Sequence, residues 1–153
     1  MRALIQRVGS SDVRVGDDVI GAIGPGMTVL LGVGDTDTAD DALRIARKIA
    51  TLRIFEDDAG KINRSIHEVG GEILLISQFT LYADCRKGRR PSFAHAALPA
   101  IAEPLVTQVI TALRADGLRV ETGRFGAEMR VTIVNVGPLT IWLDSTDLQS
   151  GAV

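Results

Sequence analysis

Ser77-Gln-Phe-Thr80 ends an apolar run, Ile73-Leu-Leu-Ile76, and Arg86, Lys87, Arg89 and Arg90 follow shortly after. A strand that only fills a core needs neither a polar end nor a cluster of positive charge beyond it. Side chains alternate along a strand, so Gln78 and Thr80 are expected on one face, Ser77 and Phe79 on the other. An unpaired strand end would offer a hydroxyl and a row of backbone N–H donors, groups that hold a developing oxyanion. The plain alternative is a strand threonine beside a solvated amide, since threonine is common in strands. Asn135-Val-Gly-Pro-Leu-Thr140 is the second stretch of interest. Gly137–Pro138 lies between two strand-like runs and fits a hairpin turn. It also presents carbonyl oxygens with little side chain in the way, because proline has no N–H to donate.

The familiar catalytic kits are absent. The two histidines, His67 and His95, sit in no triad arrangement and read as ordinary surface or half-buried residues. There is no Cys-x-x-Cys and no His-x-x-x-His, so no metal site is expected. A phosphate loop and a Gly-x-Ser-x-Gly elbow are missing too, and no cofactor is implied. Asp35-Thr-Asp37 and Asp40-Asp41 read as a loop and a helix start, because the later glutamate of a calcium loop is lacking.

The 153 residues suit one domain with a real core. A net charge of −2 argues against a generally basic nucleic-acid binder but leaves room for a local basic patch. The single cysteine, Cys85, rules out an intrachain disulfide framework and fits a reducing compartment. No signal peptide or membrane span is visible, so the chain is expected in the cytoplasm, with no membrane partner.

The elements that must position these residues can be read in order. Residues 2–8, Val13–Val15 and Val19–Ile23 are strand-like, and Gly24-Pro-Gly26 fits a type II turn with Gly26 at positive φ. Thr28–Val33 reads as a buried strand. Thr38-Ala-Asp-Asp41 resembles a capping box ahead of a helix over about 39–52, with Ala42, Ile45, Ala46, Ile49 and Leu52 as its apolar stripe. Ile73–Leu81 is predicted as a strand and 84–92 as a basic loop. A second helix is predicted from Pro99 to Ala115, with Leu105, Val109, Ala112 and Leu113 inward; Pro104 would kink it or delay its start. Leu118–Glu121, Glu128–Val136 and Leu139–Leu143 complete the strands. The fold expected is α+β, with a mainly antiparallel sheet or open barrel and two main helices. The folded part is expected over 1–145, with a loose tail over 146–153.

Taken in register, several motifs resemble the D-aminoacyl-tRNA deacylase (D-tyrosyl-tRNA deacylase) family. They are Met1-Arg-Ala-x-Ile-Gln-Arg-Val8, Gly24-Pro-Gly26, Leu52-Arg-Ile-Phe-Glu-Asp57, Ser77-Gln-Phe-Thr-Leu81 with Tyr82-Ala-Asp84, Arg86-Lys-Gly-x-Arg-Pro-Ser92, Glu121-Thr-Gly-Arg-Phe-Gly-Ala127 and Asn135-x-Gly-Pro-x-Thr140. The resemblance implies a homodimer that hydrolyses the ester between a D-amino acid and tRNA. It also implies removal of glycine from mischarged alanine tRNA. Ser77, Gln78, Phe79 and Thr80 would form the reaction centre, through backbone groups more than through the Thr80 hydroxyl. Gly137 and Pro138, joined by a cis bond, would enter that centre from the other subunit and reject L-residues. Arg7 would fix the Gly-Pro loop, Met129 would line the adenosine pocket, and Arg86, Lys87, Arg89 and Arg90 would grip tRNA phosphates. Val136 departs from the acidic residue common at that position. Three rival readings remain open: a related deacylase for small L-amino acids, a non-catalytic tRNA-binding module, and a purely structural dimer, which would have no use for the polar end of the 73–81 strand.

Overall fold

The computed structural model describes residues 1–148. The strands are β1 (Arg2–Val15), β2 (Asp18–Ile23), β3 (Gly26–Gly32), β4 (Phe55–Glu56), β5 (Ile62–Arg64), β6 (Glu72–Ser77), β7 (Val120–Thr122) and β8 (Arg130–Asp144). The helices are α1 (Ala39–Thr51) and α2 (Pro99–Ala115), with 3-10 turns at Phe79–Tyr82 and Ser145–Asp147.

β1 is the spine. Its first half pairs antiparallel with β3 and its second half with β2, while β8 runs antiparallel along its other edge. Beyond β3 the pairing becomes parallel, through β6 to β7. The sheet curls until β2 meets the far strands: a Cβ on Gly21 would stand 2.9 Å from the Thr122 carbonyl. The result is a nearly closed, barrel-like sheet with two helices, as the α+β expectation has it, although the parallel pairs were not foreseen.

β6 shows why its sequence is a continuous apolar run. Ile73 and Leu75 join the core beneath the helices; Leu74 and Ile76 point into the barrel with Val8, Val13 and Ile23. A strand covered on both faces has no polar face to alternate with. Each such side chain, fully buried, contributes roughly 1.5–3 kcal/mol.

Both helices lie where their spacing placed them. Ala42, Ile45, Ala46 and Ile49 are buried on α1, and Leu52 is its half-buried C-cap. On α2 the buried row is Ala102, Val106, Val109 and Leu113, with Leu105 and Ala112 at its margin. Pro104 does not delay α2. It sits on the exposed face, where solvent can serve the carbonyl it leaves unpaired. Among the described residues no helix is long and apolar enough to cross a membrane.

The capping box is real. The Thr38 hydroxyl accepts from the Asp41 N–H, and the Asp41 carboxylate accepts from the Thr38 N–H at 2.9 Å. Burial alone would raise the Asp41 carboxyl, but hydrogen bonds from Thr38, Ser145 and Arg44 hold its pKa at about 2. A depressed carboxylate stabilises the fold above its unfolded pKa, about 3.9, and loses that contribution as pH falls through its folded value. Asp41→Asn should therefore cost about 1 kcal/mol at neutral pH. The Tm gap to the unmodified chain should close as pH falls from about 4 towards about 2; a gap independent of pH would refute it.

Two local expectations need correction. Gly26 is not at positive φ, so 24–26 is not a type II turn. Glycine is needed there because a Cβ would collide with the Glu72 backbone, across which β3 and β6 pair. β6 ends at Ser77 instead of running to Leu81, and the chain coils into the 3-10 turn Phe79–Tyr82. The strand alternation expected for residues 77–80 therefore stops at Ser77. Asp57-Asp-Ala-Gly60, a turn by its residue types, connects β4 to β5 in a short hairpin. At the other end Ser145–Asp147 make a 3-10 turn and Leu148 packs against the core. Residues 149–153 of the expected tail lie outside the described residues.

Candidate active site

The Gln78 N–H donates to the Leu31 carbonyl at 2.7 Å, which carries the β3–β6 ladder one residue past the strand. Then the chain turns. The first N–H groups of any helical turn have no acceptor within it. Here those groups belong to Phe79 and Thr80, and neither has a backbone acceptor among the described residues. Two adjacent donors thus stand free beside an apolar cavity of about 590 Å³, lined by Ser77, Gln78, Phe79, Phe93, Phe125 and Met129 among others. Phe79 and Phe93 meet edge to face, with centroids 5.0 Å apart.

The Thr80 hydroxyl accepts from the Gln78 amide. An amide N–H can orient a hydroxyl but cannot take its proton. Among the described residues no histidine, carboxylate or lysine bonds to Thr80, so the general base that a threonine nucleophile needs is missing.

Gly137–Pro138 is not a hairpin turn. Both flanks of β8 pair with the same strand, Gln6 opposite Thr140 and Val8 opposite Asn135. The residues between bulge out of an edge strand, the place in a sheet where proline is tolerated. Asn135 closes the bulge: its Oδ1 accepts from the Leu139 N–H at 2.9 Å. Arg7, almost fully buried, donates to the Val136 carbonyl at 3.2 Å, the Ile54 carbonyl at 3.0 Å and Glu56 at 3.3 Å. Gly137 is at φ +121°, and the Gly137–Pro138 bond is cis. The Val136 contact to Arg7 is made by backbone, so the missing acidic side chain does not affect it.

The site residues thus fall into two groups. Ser77, Gln78, Phe79 and Met129 line one cavity; Thr80 is not among its lining residues but follows Phe79 directly and accepts from the Gln78 amide. Arg7 and Val136 border a second cleft, of about 690 Å³, with Gly137 and Pro138 beside it. Within one chain Gly137 and Pro138 do not line the first cavity. The second cleft is larger, but its charges are already matched, Arg7 by Glu56 and Arg119 by Glu72 and Glu121. Unclaimed donors make the first the better candidate for chemistry. Sequence reasoning missed Phe93 and Phe125 there. The available signal was compositional: three of the chain's four phenylalanines gather at this cavity.

The family model described as D-Tyr-tRNA(Tyr) deacylase matches residues 4–144. The chain belongs to that family. A protein of Roseiflexus sp. named D-aminoacyl-tRNA deacylase is 57% identical over 145 residues, 95% of this chain and 94% of its own. Its namesake in Thermomicrobium roseum is 54% identical over 153 residues, 100% of this chain and 99% of its own. Among solved structures, one titled c-Myc DNA Unwinding Element Binding Protein superposes with a TM-score of 0.88 at 41% identity, covering 94% of this chain and 98% of its own. A probable eukaryotic D-amino acid tRNA deacylase shares the fold, with a TM-score of 0.81 at 18% identity, covering 93% and 97%.

In this member of the deacylase family the basic loop is a closed hairpin. Asp84 and Ser92 exchange both backbone hydrogen bonds, at 2.7 and 2.9 Å. Arg86 is folded back on Asp84 at 2.7 Å, and its hydrogen bonds hold that carboxyl well below the usual range. Lys87, Arg89 and Arg90 are exposed and make no ion pair among the described residues. His67 pairs with Asp116 at 2.8 Å and His95 faces Asp35 at 3.5 Å, both in exposed positions.

Proposed function

We propose that the chain hydrolyses the ester of D-aminoacyl-tRNA, releasing free tRNA and the D-amino acid, in the cytoplasm where tRNA is charged. The observation that carries this reading is the pair of unclaimed N–H donors of Phe79 and Thr80 beside an apolar cavity. An aminoacyl ester is already activated, so a site need only orient it, admit water and stabilise the oxyanion. Water adds to the ester carbonyl carbon. The carbonyl oxygen gains charge and takes both N–H bonds. Collapse expels the ribose 3′ oxygen, which leaves as a hydroxyl, and the neighbouring 2′-hydroxyl relays the proton. Met129 and the phenylalanines form an apolar bed for the terminal adenosine.

The selectivity belongs to a homodimer. The Gly137–Pro138 bulge of one copy enters the cavity of the other, where its backbone meets an L side chain and spares a D side chain. Glycine has no side chain to clash, so glycyl-tRNA is cleaved as well. Two features support this: the bulge projects from an edge strand, and that strand leaves Val134, Val136 and Trp142 about half exposed.

Lys87, Arg89 and Arg90 bind tRNA phosphates. Each phosphate neutralised by a cation adds roughly 0.7–0.9 to the salt slope of binding. Replacing all three by glutamine should reduce that slope by about 2–3 and weaken binding similarly for every tRNA. Titrations at several salt concentrations measure this, and an unchanged slope would move the phosphate contacts elsewhere.

A time course on D-tyrosyl-tRNA and L-tyrosyl-tRNA tests the function. Loss of the D ester alone is expected. Loss of both esters would keep the hydrolase and remove the role of the bulge, whereas loss of neither, with tRNA bound, would leave a binding module.

A further inference from the structure

The turn Phe79–Tyr82 is held at both ends. Its entry is pinned by the Gln78 N–H on the Leu31 carbonyl. Its exit is pinned through Tyr82, whose hydroxyl donates to Asp37 Oδ2 at 3.0 Å. Asp37 also accepts from the Gly34 N–H at 2.6 Å and the Met1 ammonium at 2.5 Å, so it is a fixed anchor. On one side the Arg2 guanidinium lies 4.4 Å from the Tyr82 ring centroid. Arg2 also donates to the Leu81 carbonyl at 3.1 Å and to Asp144 at 3.0 Å, tying the turn to the end of β8. The ring rests on Gly34 as well: a Cβ there would stand 2.7 Å from a ring carbon, so glycine is what lets the ring approach. Burial and the facing Asp37 carboxylate push the phenol up, which keeps it a neutral donor.

We propose that Tyr82 is a positioning residue for ester hydrolysis, which with Asp37 and Arg2 fixes the placement of the Phe79 and Thr80 N–H groups. This rests on reading the turn as the reaction centre. A four-residue 3-10 turn has poor hydrogen-bond geometry and holds itself weakly. A donor displaced by about 1 Å can cost about 100-fold in rate. The two clamps leave only Phe79, Thr80 and Leu81 between them, so loosening one clamp moves the donors without touching the cavity wall.

The test is kcat and KM for D-tyrosyl-tRNA in Tyr82→Phe and Tyr82→Leu, with Phe79→Pro, which deletes a donor outright, as reference. Tyr82→Leu should lose about 100-fold in kcat and Tyr82→Phe, which keeps the ring, about tenfold or less. KM should stay within about twofold in both, because the loss falls on the transition state alone. If Phe79→Pro loses activity and Tyr82→Leu keeps it, the proposal is overturned and the reaction centre stands. If neither loses activity, the turn is not the reaction centre and the proposal falls with it. A raised KM at constant kcat would assign Tyr82 to substrate binding and overturn the proposal. Should Tyr82→Leu fail to fold, Tyr82→Phe and Arg2→Gln decide on the same split.

Discussion

Phe79→Pro is expected to lower kcat for D-tyrosyl-tRNA by about 10²–10³-fold, the usual loss when one oxyanion donor is removed. Proline deletes the N–H and is tolerated at the first position of a helical turn. Gln78, at φ −145° and ψ 83°, is already out of the helical region that a following proline forbids. The substitution also removes the ring that meets Phe93 edge to face, so Phe79→Ala, which keeps the N–H, is the control. The ratio between the two variants isolates the donor. Thr80→Ala should cost less than about tenfold, since among the described residues no base bonds the hydroxyl and the proposed mechanism uses the backbone alone. Single-turnover rates at saturating protein measure all three. If Thr80→Ala abolished the chemical step with tRNA binding intact, the hydroxyl would be the nucleophile and the backbone mechanism wrong.

Arg7→Ala is expected to cost about 3 kcal/mol of stability and to erode the preference for D over L esters by about tenfold or more. The stability loss follows from burial. Truncation leaves the Val136 and Ile54 carbonyls without a donor, at about 1–3 kcal/mol each. The third partner, Glu56, is about half exposed and adds little. The selectivity loss follows from position, because Arg7 ties the root of the bulge to the residue before β4. A Cβ on Gly137 would stand 2.9 Å from Arg7 Nη2, so the guanidinium packs directly against the bulge. Arg7→Lys should recover little, since one ammonium cannot span acceptors that a planar guanidinium bridges. Thermal unfolding reads the first effect, and the ratio of D- to L-tyrosyl-tRNA deacylation reads the second. A destabilised variant with its D/L ratio intact would detach the bulge from chiral selection.

What the sequence determined by itself was short-range. The capping box at Thr38–Asp41, the stripe of α1, the span of α2 and the run Ile73–Ile76 were legible because period, caps and turn residues act over a few positions. The two stretches of functional interest were legible too, since hydroxyls and an amide at a strand end, and glycine beside proline, are local departures from what a core requires. The missing triad and metal spacings were equally plain. Tertiary structure decided the rest. Nothing local says that Gly26 must admit the Glu72 backbone, a residue brought there by parallel pairing across 46 positions of chain. Nothing local says that both flanks of Gly137–Pro138 return to β1, which turns an apparent hairpin into a bulge. The strand predicted to reach Leu81 stops at Ser77, and Tyr82 then packs on Gly34 and bonds Asp37, partners 45 or more positions away. Those distant contacts overrule strand propensity and leave the Phe79 and Thr80 N–H groups free. Propensity and pattern report what a segment can do alone, whereas a donor without an acceptor arises only where packing has placed every other group.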